Sequence, residues 1–81
     1  MTVEVRLLAR ARDLAGCDSR HVDLPAGATV AHLRQALAAS CAPLAALLPR
    51  CAVAVDDELA GDDKLLAATA RVALIPPVSG G

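Results

Sequence analysis

Residues Val3-Glu4-Val5-Arg6-Leu7-Leu8-Ala9 alternate with period two, which sets Val3, Val5 and Leu7 on one face of a strand and Glu4, Arg6 and Leu8 on the other. A short helical turn is expected from Arg10 to Leu14, closed by Gly16. Alternation returns in Arg20-His21-Val22-Asp23-Leu24, a second strand with Val22 and Leu24 inward, expected to lie antiparallel to the first; Pro25-Ala26-Gly27 ends it as a turn. His21 falls on the polar side, with no catalytic partner near it in sequence.

The period then changes to 3.6. Thr29 is placed to cap a helix whose stripe is Val30, Leu33, Ala36, Leu37 and Ala38, with Arg34 and Gln35 outward. Pro43 biases Ala42 away from the helical region, so this helix should end near Ser40 or Cys41. Leu44, Leu47 and Leu48 form an apolar turn expected to pack beneath a loop. Cys51 to Val55 reads as a third strand and Asp56-Asp57-Glu58 as the solvated turn after it. Leu59-Ala60 suggests a brief fourth strand, and Asp62 to Ala67 a helical turn. Arg71-Val72-Ala73-Leu74-Ile75 is a nearly continuous apolar strand, a pattern that suits a central position covered on both faces.

The chain then changes character. Pro76 and Pro77 fix φ and remove two donors, so no ladder continues through them, and residues 76–81 should leave the sheet as an extended tail. Six residues reach roughly 20 Å when extended. Gly80 and Gly81 carry no Cβ, so this end can thread a narrow channel and present its carboxylate with little hindrance. Residues 1–75 form one domain and 76–81 the tail.

Composition narrows the function classes. Apolar residues make up 56% of the 81, yet Phe, Tyr and Trp are absent, so the core must be assembled from Ala, Val, Leu and Ile. Net charge is −1, spread along the chain; there is neither the basic stripe nor the stacking aromatics that a nucleic-acid surface needs. The uncharged stretch from Ala36 to Pro49 holds two prolines and is too short to span a bilayer, and Glu4 and Arg6 break the first apolar segment, so neither membrane insertion nor a signal peptide is expected. A cytoplasmic location follows as the expectation. Cys17, Cys41 and Cys51 share no ligand spacing and read as reduced, partly buried thiols; no metal site is expected from them or from the 56–58 carboxylates. No Ser/His/Asp, Cys/His or paired-carboxylate site is legible, so the chain is not expected to be an enzyme on its own.

The order β-β-α-β-β with a central last strand resembles the β-grasp, or ubiquitin-like, fold: α+β, with a mixed sheet of four to five strands and one main helix. Strand one and the last strand would lie parallel at the centre, with the opposite sheet face uncovered. Leu8, Ile75 and Leu59 would then be exposed apolar residues near the root of the tail, a reasonable partner surface.

Val-Ala-Leu-Ile-Pro-Pro-Val-Ser-Gly-Gly at residues 72–81 resembles the C-terminal signature of the small, sulfur-carrier subunit of molybdopterin synthase, a MoaD/ThiS-like protein. The opening segment, with Ala9, Arg12, Asp13, Leu14 and Gly16, resembles that family too, and the likeness runs over essentially the whole chain. Thiazole-pathway carriers share fold and diglycine but usually lack the Pro-Pro-Val step. The resemblance implies that an E1-like adenylyltransferase uses ATP and magnesium to adenylate Gly81, and that a persulfide donor converts it to a thiocarboxylate. The tail would enter the large synthase subunit in a heterotetramer and pass its sulfur to cyclic pyranopterin monophosphate for molybdenum cofactor biosynthesis. No permanently bound cofactor is implied. Gly81 would carry the sulfur and Gly80 give access; Pro76, Pro77, Val78 and Ser79 would set the tail's path. Leu8, Arg12, Leu59 and Ile75 match positions that contact the large subunit or the activating enzyme.

Departures from the family pattern are visible. Leu7, Leu8, Leu74 and Ile75 stand where phenylalanines are common, and Ala68-Thr69-Ala70 replaces an Asp-Gly-Asp turn. Alternative outlets for the same chemistry are sulfur delivery to thiazole, cysteine or transfer RNA, conjugation to lysines as a ubiquitin-like modifier, or a non-covalent interaction module.

Overall fold

A computed structural model describes residues 1–78. Strand β1 (Thr2–Leu7) is followed by helix α1 (Ala9–Ala15), β2 (Ser19–Asp23), α2 (Val30–Ser40), α3 (Ala42–Ala45), a 3-10 turn at Leu48–Arg50, and strands β3 (Ala52–Val55), β4 (Glu58–Ala60) and β5 (Val72–Ile75). The five strands form one sheet in the order β2-β1-β5-β3-β4. β1 and β5 run parallel at its centre and the other pairings are antiparallel. This is the mixed sheet expected.

Register explains the core. Val3 pairs with Val22, Val5 and Val55 both lie beside Val72, and Leu7 and Val53 both lie beside Leu74. Paired residues point to the same face, so these eight side chains form a continuous aliphatic floor. Val30, Leu33 and Leu37 of α2 and Leu44 of α3 are fully buried with them. Burying a Leu or Val side chain is worth about 1.5–3 kcal/mol, and this face supplies that term without aromatics.

Local signals hold at several boundaries. Gly16 ends α1 in the left-handed region at φ 75° and donates its N–H to the Arg12 carbonyl. Thr29 caps α2 reciprocally: its hydroxyl accepts from the His32 N–H, and the Thr29 N–H donates to His32 Nδ1 at 2.9 Å. Nδ1 therefore bears no proton in this arrangement. Thr29→Ala is expected to cost about 1 kcal/mol, read as a lower denaturant midpoint at unchanged slope.

Other expectations are corrected. β1 stops at Leu7, because Leu8 and Ala9 turn the chain into α1, with Ala9 at φ 50°. Leu8 thus stands at the helix start, half-buried, and not on the strand's polar face. Residues 62–67 form no helical turn: Leu65 makes an antiparallel bridge with Thr29, and the Leu66 N–H donates to the Ala28 carbonyl. Arg34 is not free in solvent; its Nε meets Asp62 at 2.9 Å and its Nη1 the Leu48 carbonyl at 2.7 Å, tying α2 to two loops. β5 is covered on one face only, since Val72 and Leu74 are buried while Ala73 and Ile75 remain half-exposed. Its continuous apolar run reflects a second apolar face rather than a second layer.

Arg20 pairs with Val5 and so begins on the core side. Its guanidinium runs out to the C-terminal end of α2, where Nη2 donates to the Ser40 carbonyl at 3.1 Å.

Candidate functional site

The parallel pairing of β1 with β5 decides where the tail leaves. Leu7 lies beside Leu74 and Ala52 beside Ile75, so the ends of β1 and β5 and the start of β3 meet at one end of the sheet. The Asp56-Asp57 hairpin turn lies at the other end, since Val55 pairs with both Glu58 and Val72. Both turn residues have positive φ, 52° and 68°, as a two-residue hairpin of this hand requires. Arg71 donates its N–H to Asp56 Oδ1 and accepts from the Asp56 N–H through its carbonyl, anchoring the start of β5 to that turn. The strand that leads to the tail is therefore fixed at both ends and along both edges.

At the exit Ile75 and Pro76 are half-buried, Pro77 is exposed and Val78 is 99% exposed. Pro77 and Val78 share a shallow cleft with Arg10 and Leu14 of α1 and with Ala46 and Arg50. Ser79, Gly80 and Gly81, on which the acyl chemistry is expected, lie outside the described residues.

The open face of the sheet is the second part of the site. Leu59, Ala54, Ala73 and Arg6 follow one another across four strands in register, and Ala52 and Ile75 form the next pair toward the exit. Leu59 is 75% exposed. Ile75 and Leu8 are only half-exposed, which corrects the expectation of exposed side chains at those positions. The centre is apolar and shallow because small alanines occupy it. Toward β2 the face becomes polar, where Glu4 approaches His21 Nε2 at 3.4 Å. Arg12 is exposed on α1, 3.9 Å from Asp13.

Ala52, Ala54 and Ala73 were not read as site residues. Their signal lay in period two within β3 and β5: they alternate with the buried Val53, Val55, Val72 and Leu74. Leu8, Arg12, Leu59 and Ile75 were read from the sequence; Leu59 and Ile75 lie on the open face, while Leu8 and Arg12 sit at the start and on the surface of α1.

The cysteines take no part in this surface. Cys41 and Cys51 are buried and Cys17 is half-buried, all as free thiols. Burial pushes the Cys51 thiol above its ordinary value, and the nearby Arg34 charge offsets only part of that. The Cys51 Sγ lies 3.3 Å from the Leu47 carbonyl, which accepts its hydrogen bond. A buried neutral thiol is a poor nucleophile, and Cys51 is structural.

A five-stranded β-grasp sheet, a clamped last strand and an exposed tail root define a ubiquitin-like carrier protein. Solved structures agree. The chain is similar to SAMP1 from Haloferax volcanii, with 29% identity, all of both chains covered and a TM-score of 0.88. It is similar to a putative molybdopterin converting factor, subunit 1, from Pyrococcus furiosus, with 27% identity over 96% of this chain and 99% of that one, at a TM-score of 0.85. It is also similar to a chain in a complex of subunits 1 and 2 of the molybdopterin-converting factor from Helicobacter pylori, with 26% identity, full coverage of both and a TM-score of 0.70. The ThiS family model matches residues 5–81, and the chain belongs to the ThiS family. It is a MoaD/ThiS-like sulfur carrier.

Proposed function

We propose that this chain is the sulfur-donor subunit of molybdopterin synthase, with its C-terminal Gly81 cycling between carboxylate, acyl-adenylate and thiocarboxylate. The observation that carries this reading is the Pro-Pro-Val-Ser-Gly-Gly tail springing from the clamped strand β5 of a ThiS-family domain. Its likeness to subunit 1 of molybdopterin-converting factors supports that outlet.

A carboxylate is a poor acyl donor because its leaving group would be oxide. Transfer of AMP from ATP, with magnesium on the phosphates and an E1-like adenylyltransferase as catalyst, supplies a leaving group. Attack by a persulfide-derived sulfur then expels AMP and leaves the thiocarboxylate. The domain holds out the acyl group, and the chemistry at the reacting carbon is left to its partners. Residues 76–81 act as the inserted segment, with Pro76 and Pro77 holding their backbone extended and so lowering the ordering cost of insertion.

The apolar centre of the open face and its flank at Arg12 are the docking surface for the large subunit and, at another time, for the activating enzyme. Alternating partners suit a shallow face with few side chains to repack. The carrier acts in the cytoplasm, where ATP and persulfide donors are available.

The test is the intact mass of the chain after incubation with ATP, magnesium, its activating enzyme and a sulfur source. The expected product is heavier by the exchange of one oxygen for one sulfur at Gly81. Mixed with the large subunit and cyclic pyranopterin monophosphate, it should revert to the carboxylate as the dithiolene forms. No mass change, with the enzyme active on another carrier, would overturn the reading; reversion only with a different acceptor would reassign the pathway. Of the alternative outlets, the modifier has specific support in the SAMP1 likeness, since a second H. volcanii structure similar to this chain is described as small archaeal modifier protein 1.

A further inference from the structure

Two arginines flank the root of the tail, one from each side of β5. The sheet order places β5 between β1 and β3. β1 ends at Leu7, beside Leu74, and the chain then turns into α1, whose first turn carries Arg10. On the other side Ala52 pairs with Ile75, and the 3-10 turn that feeds β3 ends at Arg50. Both arginines are exposed, and both line the cleft that holds Pro77 and Val78.

The charge of this cleft is one-sided. Its wall is apolar, with Leu14 and Ala46, and no carboxylate-bearing residue among the described residues lines it. The ion pairs of the described residues use Arg12, His21 and Arg34 as cations, and the hydrogen bonds from arginine side chains come from Arg20 and Arg34. Among the described residues, then, Arg10 and Arg50 have no anionic partner, in a chain whose formal net charge is −1. Their supports are ordered: Arg10 stands on α1, and the Arg50 N–H donates to the Leu47 carbonyl at 2.9 Å in a turn that Arg34 ties down through the Leu48 carbonyl. Guanidinium groups pair bidentately with carboxylates, so two of them beside an apolar wall suit an acidic protein surface.

We propose that Arg10 and Arg50 seat an acidic rim of the large subunit, around the mouth of the channel that takes the tail. Chain length selects this occupant. Only three residues follow Val78, and three residues span at most roughly 10 Å. For Gly81 to reach an enclosed site, the mouth must close over the root of the tail, and whatever surrounds it then lies against the two guanidiniums. Carboxylates on that rim make the approach attractive, whereas a basic rim is repelled, so the pair also selects which channel the tail enters. This inference rests on reading Gly81 as an inserted acyl carrier. It adds to the docking surface a charged part carried by α1 and the 3-10 turn, apart from the open face of the sheet.

The test is direct binding of the full chain, in its carboxylate form, to the large subunit, by calorimetry and stopped-flow mixing at physiological and at high salt. Arg10→Gln with Arg50→Gln is expected to weaken binding about tenfold, chiefly through slower association, and to flatten its salt dependence. Both side chains are exposed, so the thermal melt should stay in place. The matched control removes two charges elsewhere: Lys64→Gln, at the start of α2, with Arg71→Gln, at the Asp56 turn. Screening confines each charge to its own neighbourhood, so the control should bind within about twofold of the unaltered chain at physiological salt. Equal losses in the two double variants would assign the effect to net charge, and unchanged binding in the first would leave the cleft without a role. Tighter binding in the first would mean that another occupant, a second copy or the chain's own tail, competes for the cleft. Each of these three results would overturn the proposal. Binding that ignores the two arginines overturns this inference alone, whereas an unaltered chain that does not bind the large subunit overturns the synthase reading as well.

Discussion

Deletion of Gly81 is expected to abolish sulfur loading while leaving the unfolding transition where it was. Among the described residues the buried core ends at Leu74, and Val78 stands 99% exposed, so that core is complete without Gly81. A change that leaves the core untouched is expected to shift stability by no more than about 0.5 kcal/mol. The truncated chain still ends in glycine, but its carboxylate falls about 3.3 Å short. Misplacing a reacting atom by as little as 1 Å can cost on the order of 10²-fold in rate, so loading should drop at least that far. Intact mass after activation, paired with a thermal melt, checks both halves. Loading that persists in the truncated chain would mean that the acyl carbon is not at Gly81.

Leu74→Ala is expected to give the opposite pattern. Leu74 lies on the central strand between Leu7 and Val53 and is wholly buried. Truncation there removes three carbons and leaves a cavity, at a cost of about 2–5 kcal/mol. The stability of a domain this small belongs near the lower end of the usual range of about 5–15 kcal/mol, and each kcal/mol moves the midpoint by roughly 4–8 °C. A large loss of thermal stability, or failure to accumulate folded protein, is the expected result, with loading reduced only in proportion to the folded fraction. Ile75→Ala, on the other face and half-exposed, should cost much less; equal losses at 74 and 75 would contradict the one-sided burial of β5.

How much of this was legible in advance follows from the range of each interaction. Period-two alternation in residues 3–7 and 20–24, the Thr29 cap, the stripe of α2 and the Gly16 stop are local, and the structure keeps them. The tail was equally legible, because proline and glycine act through their own backbones. By themselves, then, the residues determined a β-grasp order of elements, an aliphatic core and a proline-marked departure of the chain from the sheet after Ile75.

The rest needed contacts between distant segments. Arg34 reads as a solvent-facing helix position until Asp62 and the Leu48 carbonyl are brought to it from 28 and 14 residues away. Residues 62–67 carry enough leucine and alanine for a helical turn, but pairing with residues 28 and 29 satisfies their backbone instead. The apolar run of residues 72–75 suggests cover on both faces while the β-grasp order of elements suggests an open one, because a run of apolar residues cannot tell a covered face from an open one; the described sheet has no second layer there, and Ala73 and Ile75 are half-exposed. Tertiary structure alone also drew Ala52, Ala54, Ala73 and Leu59 from three strands into one shallow face at the root of the tail. Sequence neighbours fix the conformation of a strand or a cap, whereas a surface belongs to the sheet, and its membership is decided by register.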